Sequence, residues 1–113
     1  MNYEEYAQTI KALSDPNRVK ILDILSCDTE CACDLLDHFN FTQPTLSHHI
    51  KVLRDANLVL TEKKGNWHHY SINQETVDEL MNYTQNIFSS SERCICHTKI
   101  NVEEEKYEKI GNL

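Results

Sequence analysis

The sequence predicts one mainly helical domain that carries a single β-hairpin. Apolar residues recur every three or four positions through most of the 113-residue chain, the spacing of one helix face. Only two Gly and two Pro are present, a composition that favours helix. Between residues 58 and 72 the pattern changes to two β-rich runs around Gly65, as in a hairpin. A chain of this size forms one core, and a second subunit can cover much of it.

Two helices are predicted at the start of the chain. The first extends from Tyr3 to Leu13. Asp15 can cap a second helix, and Pro16 suits its first turn because the missing N–H would have no partner there. The second helix is expected to reach about Leu25 and to bury Val19, Ile21, Leu22, Ile24 and Leu25.

The middle of the chain predicts two short helices separated by a tight break. Residues 34–39 form the first, and residues 40–42 interrupt it. Thr42 is the expected cap of the next helix, and Pro44 suits its first turn. That helix is expected to bury Leu46, Ile50 and Leu53, leaving polar and basic groups on its other faces.

A last helix is predicted to follow the hairpin. Asn73 is its cap, and it extends over residues 74–89. It carries a wide apolar stripe of Val77, Leu80, Met81, Thr84, Ile87 and Phe88. Such a stripe needs another surface to cover it.

The charge distribution bears on whether the chain binds nucleic acid. A net charge of −7 is unfavourable, because Lys and Arg contacts to phosphate supply most non-specific affinity. Residues 42–71, however, hold four basic and only two acidic side chains, together with four of the six histidines. The basic segment coincides with the second short helix and the hairpin.

Two short helices with a tight break, followed by a basic hairpin, are the parts of a winged helix-turn-helix. A polar-faced helix fits the DNA major groove, and the hairpin, or wing, can lie against the neighbouring backbone. The side chains expected at base edges are Gln43, Thr45, Ser47 and His48. Those expected at phosphates are Lys51, Lys63 and Lys64, with Arg54 and His68 as further candidates.

The five cysteines predict ligand or redox chemistry rather than disulfides. The chain lacks an apolar run that would span a bilayer and starts without a secretion signal, so we expect a cytoplasmic protein with reduced thiols. Cys31 and Cys33 form a Cys-x-Cys pair, and soft thiolates select thiophilic ions. Positions two apart in a regular helix point about 200° away from each other. Both sulfurs can therefore reach one ion only at a helix end or across a distortion.

Several motifs in order resemble the ArsR/SmtB family of metal-sensing repressors, over nearly all of residues 3–96. They are Ala12-Leu13-Ser14-Asp15-Pro16-Asn17-Arg18 with Ile21-Leu22, Cys31-Ala32-Cys33-Asp34-Leu35-Leu36, the segment from Thr42 to Leu53, and Lys64-Gly65-Asn66-Trp67-His68-His69-Tyr70. The resemblance implies an α-helical homodimer interface built on the first and last helices. It also implies an inverted-repeat operator in double-stranded DNA, bound by the apo form and released when an inducer binds.

The resemblance leaves the ligand set open. Arsenic-responsive members often carry a third cysteine three residues beyond the pair, where this chain has Leu36. Candidates for completing the site are Cys94 and Cys96, with Cys27 as the weaker one. Three sulfurs would satisfy As(III) or Sb(III), while Cd(II) or Pb(II) could use a fourth. Cadmium-responsive members use cysteines in an N-terminal extension, whereas this chain has no cysteine before Cys27, and residues 74–89 lack the histidines of the zinc sensors.

Residues 1–91 are thus predicted to form the DNA-binding and dimerisation domain, and residues 92–113 a flexible tail that contains Cys94 and Cys96. One alternative is a thiol redox or persulfide switch on the same fold, linking Cys31 or Cys33 to a tail cysteine. Another is a metal-binding module that does not bind DNA. An enzyme is disfavoured, because the sequence contains neither a Gly-rich phosphate loop nor an evident acid/base pair.

Overall fold

A computed structural model describes residues 1–27 and 30–89, with the backbone alone for residues 30–33. Residues 1–83 form one unit; of the second, residues 84–113, the described part is the end of the last helix. The elements in chain order are α1 (Tyr3–Ala12), α2 (Pro16–Leu25), β1 (Glu30–Cys31), α3 (Ala32–Leu36), α4 (Gln43–Asp55), β2 (Val59–Lys64), β3 (Trp67–Ile72) and α5 (Gln74–Phe88). The mainly helical fold with a hairpin is confirmed.

The first two helices begin at side-chain caps. Asn2 and Glu5 form a capping box at α1, with the Asn2 side chain accepting from the Glu5 backbone N–H at 2.8 Å. Asp15 accepts from the backbone N–H of Asn17 at 2.8 Å, so the predicted cap of α2 is confirmed.

The burial predicted for α2 is confirmed in part. Ile21 and Leu25 are buried, and Leu22 and Ile24 are half-buried. The prediction for Val19 is wrong, since it is 50% exposed. Two helical positions before Ile21, it faces away from the core.

The short helix α3 differs in its bounds from the prediction for residues 34–39. It covers Ala32–Leu36, and the chain continues to Phe39 through three tighter turns in which each N–H bonds to the carbonyl three residues earlier. Thr42 occupies the cap position of α4 but its side chain makes no cap hydrogen bond; its hydroxyl lies 3.4 Å from that of Thr45. The predicted burial of Leu46, Ile50 and Leu53 in α4 is confirmed.

The hairpin of β2 and β3 is antiparallel, with Val59 opposite Ile72 and Lys64 opposite Trp67. Gly65 has a φ of +63° in the two-residue turn, a conformation that L side chains rarely adopt. The strand β1 was not predicted. It pairs with the free edge of β3 and makes a three-stranded sheet in the order β1-β3-β2. Two residues are too few for an alternating pattern to reveal them.

The core of the described part of the chain draws on helices α1 to α5 and on the ends of β2 and β3 away from the turn. Its fully buried side chains are Ile21, Leu35, Leu46, Leu53, Leu58 and Val59. The apolar stripe of α5 is only partly covered: Leu80 is buried, whereas Met81 is 61% exposed. In the second unit, Ile87 and Phe88 are also exposed. Within the described ranges, every helix is too short or too polar to span a membrane. The predicted boundary between the domain of residues 1–91 and the tail of residues 92–113 lies outside the described residues.

Candidate nucleic-acid interface and metal centre

One face of α4 presents a continuous polar stripe. Gln43, Ser47 and Lys51 are four residues apart, so they follow one another along the helix, and all three are exposed. The Gln43 Nε2 donates to Ser47 Oγ at 3.2 Å. The stripe can therefore supply amide, hydroxyl and ammonium groups to the base edges and the backbone of one groove.

Lys51 is held in an ion pair in the free protein. Its Nζ lies 2.9 Å from Asp55 Oδ2, and this hydrogen bond holds the pKa of the Asp55 carboxyl below its usual value. Both side chains are more than half exposed, and exposed pairs of this kind contribute little to stability. Lys51 can therefore exchange the carboxylate for a DNA phosphate at small cost.

The other two predicted base contacts of α4 lie off the stripe. Thr45 is half-buried beside Thr42. His48 is exposed and lies at a cleft of about 690 Å³ formed with α1 and α5, where Gln8 and Glu79 are also found. The structure thus brings together Gln43, Ser47 and Lys51, and places Thr45 and His48 around the helix from them.

The wing ends in exposed basic and aromatic groups. Lys63 lies opposite His68 and Lys64 opposite Trp67, which is 57% exposed. Successive strand residues point to opposite faces, so Lys63 and Lys64 serve different sides of the hairpin. The Lys64 ammonium lies 3.5 Å from Glu62, again in an exposed pair. Both ammonium groups lie on long, flexible side chains near the tip of the wing, so each can reach a phosphate from its own face.

A buried polar contact between Arg18 and His49 anchors the core-facing side of α4. Neither residue was predicted from the sequence to have a role. His49 is 6% exposed, and its Nδ1 lies 3.2 Å from Arg18 Nη1. The Arg18 Nε donates to the Ala12 carbonyl at 2.7 Å, and its Nη1 lies 3.9 Å from Asp15. Because a guanidinium only donates, Nδ1 of His49 must accept and the ring is neutral. Arg18 thereby joins α1, α2 and α4.

The apolar spacing of α4 could have revealed this residue. His49 is three positions after Leu46 and four before Leu53, on the buried face of the helix. A histidine there requires a buried partner, since unpaired polar groups are costly in a core. Sequence alone does not identify which of the distant cationic groups supplies it.

We expect His49 to make stability depend on pH. Burial, followed by the nearby charges of Arg18 and His48, holds the pKa of His49 below its ordinary value of 6.5, although Asp15 opposes this. Below about pH 6.5 the unfolded chain therefore takes up a proton that the folded chain refuses. The free energy of unfolding should fall as the pH drops from 6.5 towards the folded-state pKa.

Urea unfolding between pH 5 and 8 at fixed protein concentration measures this effect. His49→Gln should flatten the dependence on pH, while His48→Gln, which removes only the smallest of the causes that lower the pKa of His49, should change it much less. An unchanged slope in His49→Gln would mean that other groups cause the acid sensitivity.

The Cys-x-Cys pair straddles a junction between two elements. Cys31 ends β1, and Cys33 is the second residue of α3. The pair is thus at a helix end, one of the two settings in which both sulfurs can reach one ion. Cys27 follows α2 and is exposed. Cys94 and Cys96 lie outside the described residues.

The connection from α3 to α4 is firmly packed. Leu35 of α3 is fully buried. After it, the rings of Phe39 and Phe41 stack at 4.6 Å, and Phe41 lies 5.5 Å from the ring of His49. Lys20 donates to the His38 carbonyl at 2.9 Å and lies 4.8 Å from the centre of the Phe39 ring. A displacement of the start of α3 would therefore be transmitted to α4 through this short, closely packed connection.

Comparisons with known proteins agree with this geometry. Residues 15–61 match the profile described as bacterial regulatory protein, arsR family. The chain is 50% identical over 96 residues to the arsenical resistance operon repressor of Staphylococcus aureus, covering 85% of this chain and 92% of that protein. It is 36% identical over 81 residues to a cadmium resistance transcriptional regulatory protein homologue of the same species, covering 71% and 67% respectively.

A solved structure shows the same fold. The crystal structure of an ArsR family transcriptional regulator superimposes with a TM-score of 0.67 and 26% identity, covering 80% of this chain and 97% of the other. Members of this family are transcriptional regulators and not enzymes. With half of its aligned residues identical to a repressor that it covers almost completely, the chain belongs to the ArsR family of winged helix-turn-helix transcriptional regulators.

Proposed function

We propose that this protein represses transcription by binding an inverted-repeat operator as an apo homodimer and dissociates when a soft ion binds its cysteine thiolates. As(III) or Sb(III) is the first choice of inducer, followed by Cd(II) or Pb(II). The observation that carries the proposal is the position of Cys31 and Cys33 at the β1–α3 junction, directly before the packed link to α4.

DNA binding is assigned to α4 and the wing. Gln43 and Ser47 on the polar stripe, with Thr45 and His48 beside it, read base edges, while Lys51, Lys63 and Lys64 bind phosphates. The acidic remainder of the chain disfavours other orientations on DNA. Binding that weakens steeply with salt is expected, and its absence would favour a metal-binding module that does not bind DNA.

The homodimer is assigned to α1 and α5. Tyr3 and Tyr6 pack against Tyr83 with ring centroids 6.4 and 5.1 Å away, which joins the two helices within one subunit. Large apolar groups remain uncovered on them, among them Tyr3 and Met81, at 62% and 61% exposure. A second copy covering these groups would bury them and place two copies of α4 for two half-sites.

Met81→Glu should shift the dimer towards monomer, because the interface would have to bury an unpaired carboxylate. A rise of about tenfold or more in the dimer dissociation constant is expected, measured by sedimentation at micromolar concentrations. Val19→Glu is the matched control, since Val19 is an exposed apolar residue of α2, outside the proposed interface. A wild-type chain that sediments as a monomer would contradict the assignment.

The donor set fits a thiophilic ion. Cys31 and Cys33 supply two thiolates at a strand–helix junction. In a continuous helix these two side chains would point about 200° away from each other, and the change of backbone direction at the junction removes this constraint. A third thiolate is assigned to Cys94 or Cys96, with Cys27 as the weaker candidate. The bonds between the ion and sulfur contribute more binding free energy than is lost with the local backbone contacts that they replace.

Release is assigned to the start of α3. Drawing Cys31 and Cys33 together there would reposition α3, whose Leu35 is part of the core. The Phe39–Phe41 stack would pass the shift to α4 at His49. A small rotation of α4 relative to the wing is enough to misalign base and phosphate contacts that need hydrogen-bond distances.

Removing both tail cysteines tests the third ligand. Cys94→Ser/Cys96→Ser should weaken As(III) binding and require more As(III) for operator release, since two thiolates remain for an ion that prefers three. The comparison variant is Cys27→Ser, measured by sulfur-to-metal absorption under reducing conditions. If the double variant keeps the parent affinity and Cys27→Ser loses it, the third ligand is local.

Titrating the reduced apo-protein on operator DNA tests the proposal as a whole. Fluorescence anisotropy should show tight binding that As(III) reverses in the presence of a reductant. Release that requires an oxidant or a persulfide donor instead, with a cysteine cross-link found by mass spectrometry, would favour the thiol switch.

A further inference from the structure

We infer that His69 of the wing strand β3 is an imidazole ligand of the ion bound at Cys31 and Cys33. This inference rests on the proposed function and deepens it, because it adds a nitrogen donor to a site otherwise built from thiolates. It also extends the range of ions that the site binds well towards divalent ions such as Cd(II).

The strand register brings His69 to the cysteine pair. In the three-stranded sheet, His69 of β3 is the direct partner of Cys31 in β1 and of Glu62 in β2. Directly opposed residues of an antiparallel pair have Cβ atoms about 4.5–5.5 Å apart. An imidazole at this register position is within reach of an ion held by a thiolate at the partner position, since metal–nitrogen and metal–sulfur bonds are each about 2.0–2.3 Å long for zinc.

The state of the His69 side chain is suited to metal binding. It is half-buried, and among the residues that the structure describes its ring has no hydrogen-bond or ion-pair partner. A partly buried imidazole without a polar partner has a nitrogen lone pair available for an ion. Its neighbour His68 differs, because it is exposed and belongs to the other face of the sheet, where it is paired with Lys63.

The chemistry of the donor set predicts a selectivity. As(III) is satisfied by three sulfurs and gains little from an imidazole, whereas tetrahedral divalent ions accept mixed sulfur and nitrogen ligands. His69 should therefore strengthen Cd(II) binding more than As(III) binding. It would also tie the β1–α3 junction to β3, so that the ion acts on the wing directly and not only through α4.

Cd(II) and As(III) affinities of His69→Gln and His68→Gln, each measured by competition with a chelator or dithiol, test the inference. His69→Gln should lower Cd(II) affinity about tenfold or more and leave As(III) affinity unchanged. Removing a group that only hydrogen-bonds to a metal ligand already costs about this much, and a direct ligand should cost at least as much. His68→Gln should match the parent protein for both ions. Equal Cd(II) affinity in all three proteins would overturn the inference.

Nuclear magnetic resonance of the wild-type chain gives a second measurement that does not depend on a variant folding. With ¹¹³Cd and ¹⁵N-labelled histidine, a scalar coupling between the metal and the His69 ring nitrogen is expected, and its absence would contradict direct ligation. The proposed function is tested separately, because Cys31→Ser abolishes ion binding if the thiolate site is right. Loss of binding in Cys31→Ser with no change in His69→Gln would reject only the histidine ligand.

Discussion

Cys31→Ser and Cys33→Ser are each expected to leave operator binding intact while abolishing release by As(III). A serine hydroxyl is nearly the size of a thiol but is a poor ligand for soft ions, so the ion loses one of its two central donors. In the proposed function the two cysteines only hold the ion, so α4 and the wing should keep their interactions with DNA in both variants. Operator anisotropy with increasing As(III) measures both properties in one titration.

Ala32→Ser is a matched control for these variants, because it introduces a hydroxyl between the two cysteines without removing a thiolate. It should respond to As(III) as the parent protein does. If either cysteine variant still releases DNA at the parent concentration of As(III), the pair is not the sensor. If a variant no longer binds DNA without As(III), that cysteine has a structural role.

The second large effect is expected on operator affinity, from substitutions in α4. Ser47→Ala should weaken specific operator binding by about 1–3 kcal/mol, the usual effect of removing a base contact, and His48→Ala by a similar amount. Ser47 lies on the exposed polar stripe, while His48 lies around the helix at the cleft, so a loss in only one of the two variants would show which side of α4 enters the groove. Affinities for operator and random duplexes measure the specific part.

Lys63→Ala and Lys64→Ala provide the contrast. Each removes one phosphate interaction, so binding to operator and random DNA should weaken together, and the slope of the salt dependence should become shallower by about one unit in each variant. A similar weakening on both duplexes for the α4 and the wing variants would contradict the division between base reading and phosphate binding.

The elements of this fold could largely be read from local patterns. The apolar spacing of α4, the cap at Asp15 and the turn at Gly65 each depend on neighbouring residues, and each is confirmed. The Cys31–Cys33 pair lies at a helix end, one of the two settings in which helix geometry allows both sulfurs to reach one ion, but its role as a metal site stays a prediction. These features are local because helix periodicity, capping and turn formation act over a few residues.

Contacts between distant segments could not be read in this way. β1 has only two residues and exists because the edge of β3 offers it backbone partners, and the Arg18–His49 contact joins positions 31 residues apart. The error at Val19 has the same origin, since an apolar residue on a short helix is buried only if a neighbour covers it.

By itself the sequence determined that this chain is a winged helix-turn-helix with a polar recognition helix, a basic wing and a Cys-x-Cys pair. Periodicity, caps and motifs each depend only on residues that are close together in the chain. Only the tertiary structure decided that Cys31 lies in register with His69, that His49 is held neutral by Arg18, and that Phe39 and Phe41 link the β1–α3 junction to α4. Those relations depend on how distant segments pack, and packing selects one arrangement from many that the local pattern permits.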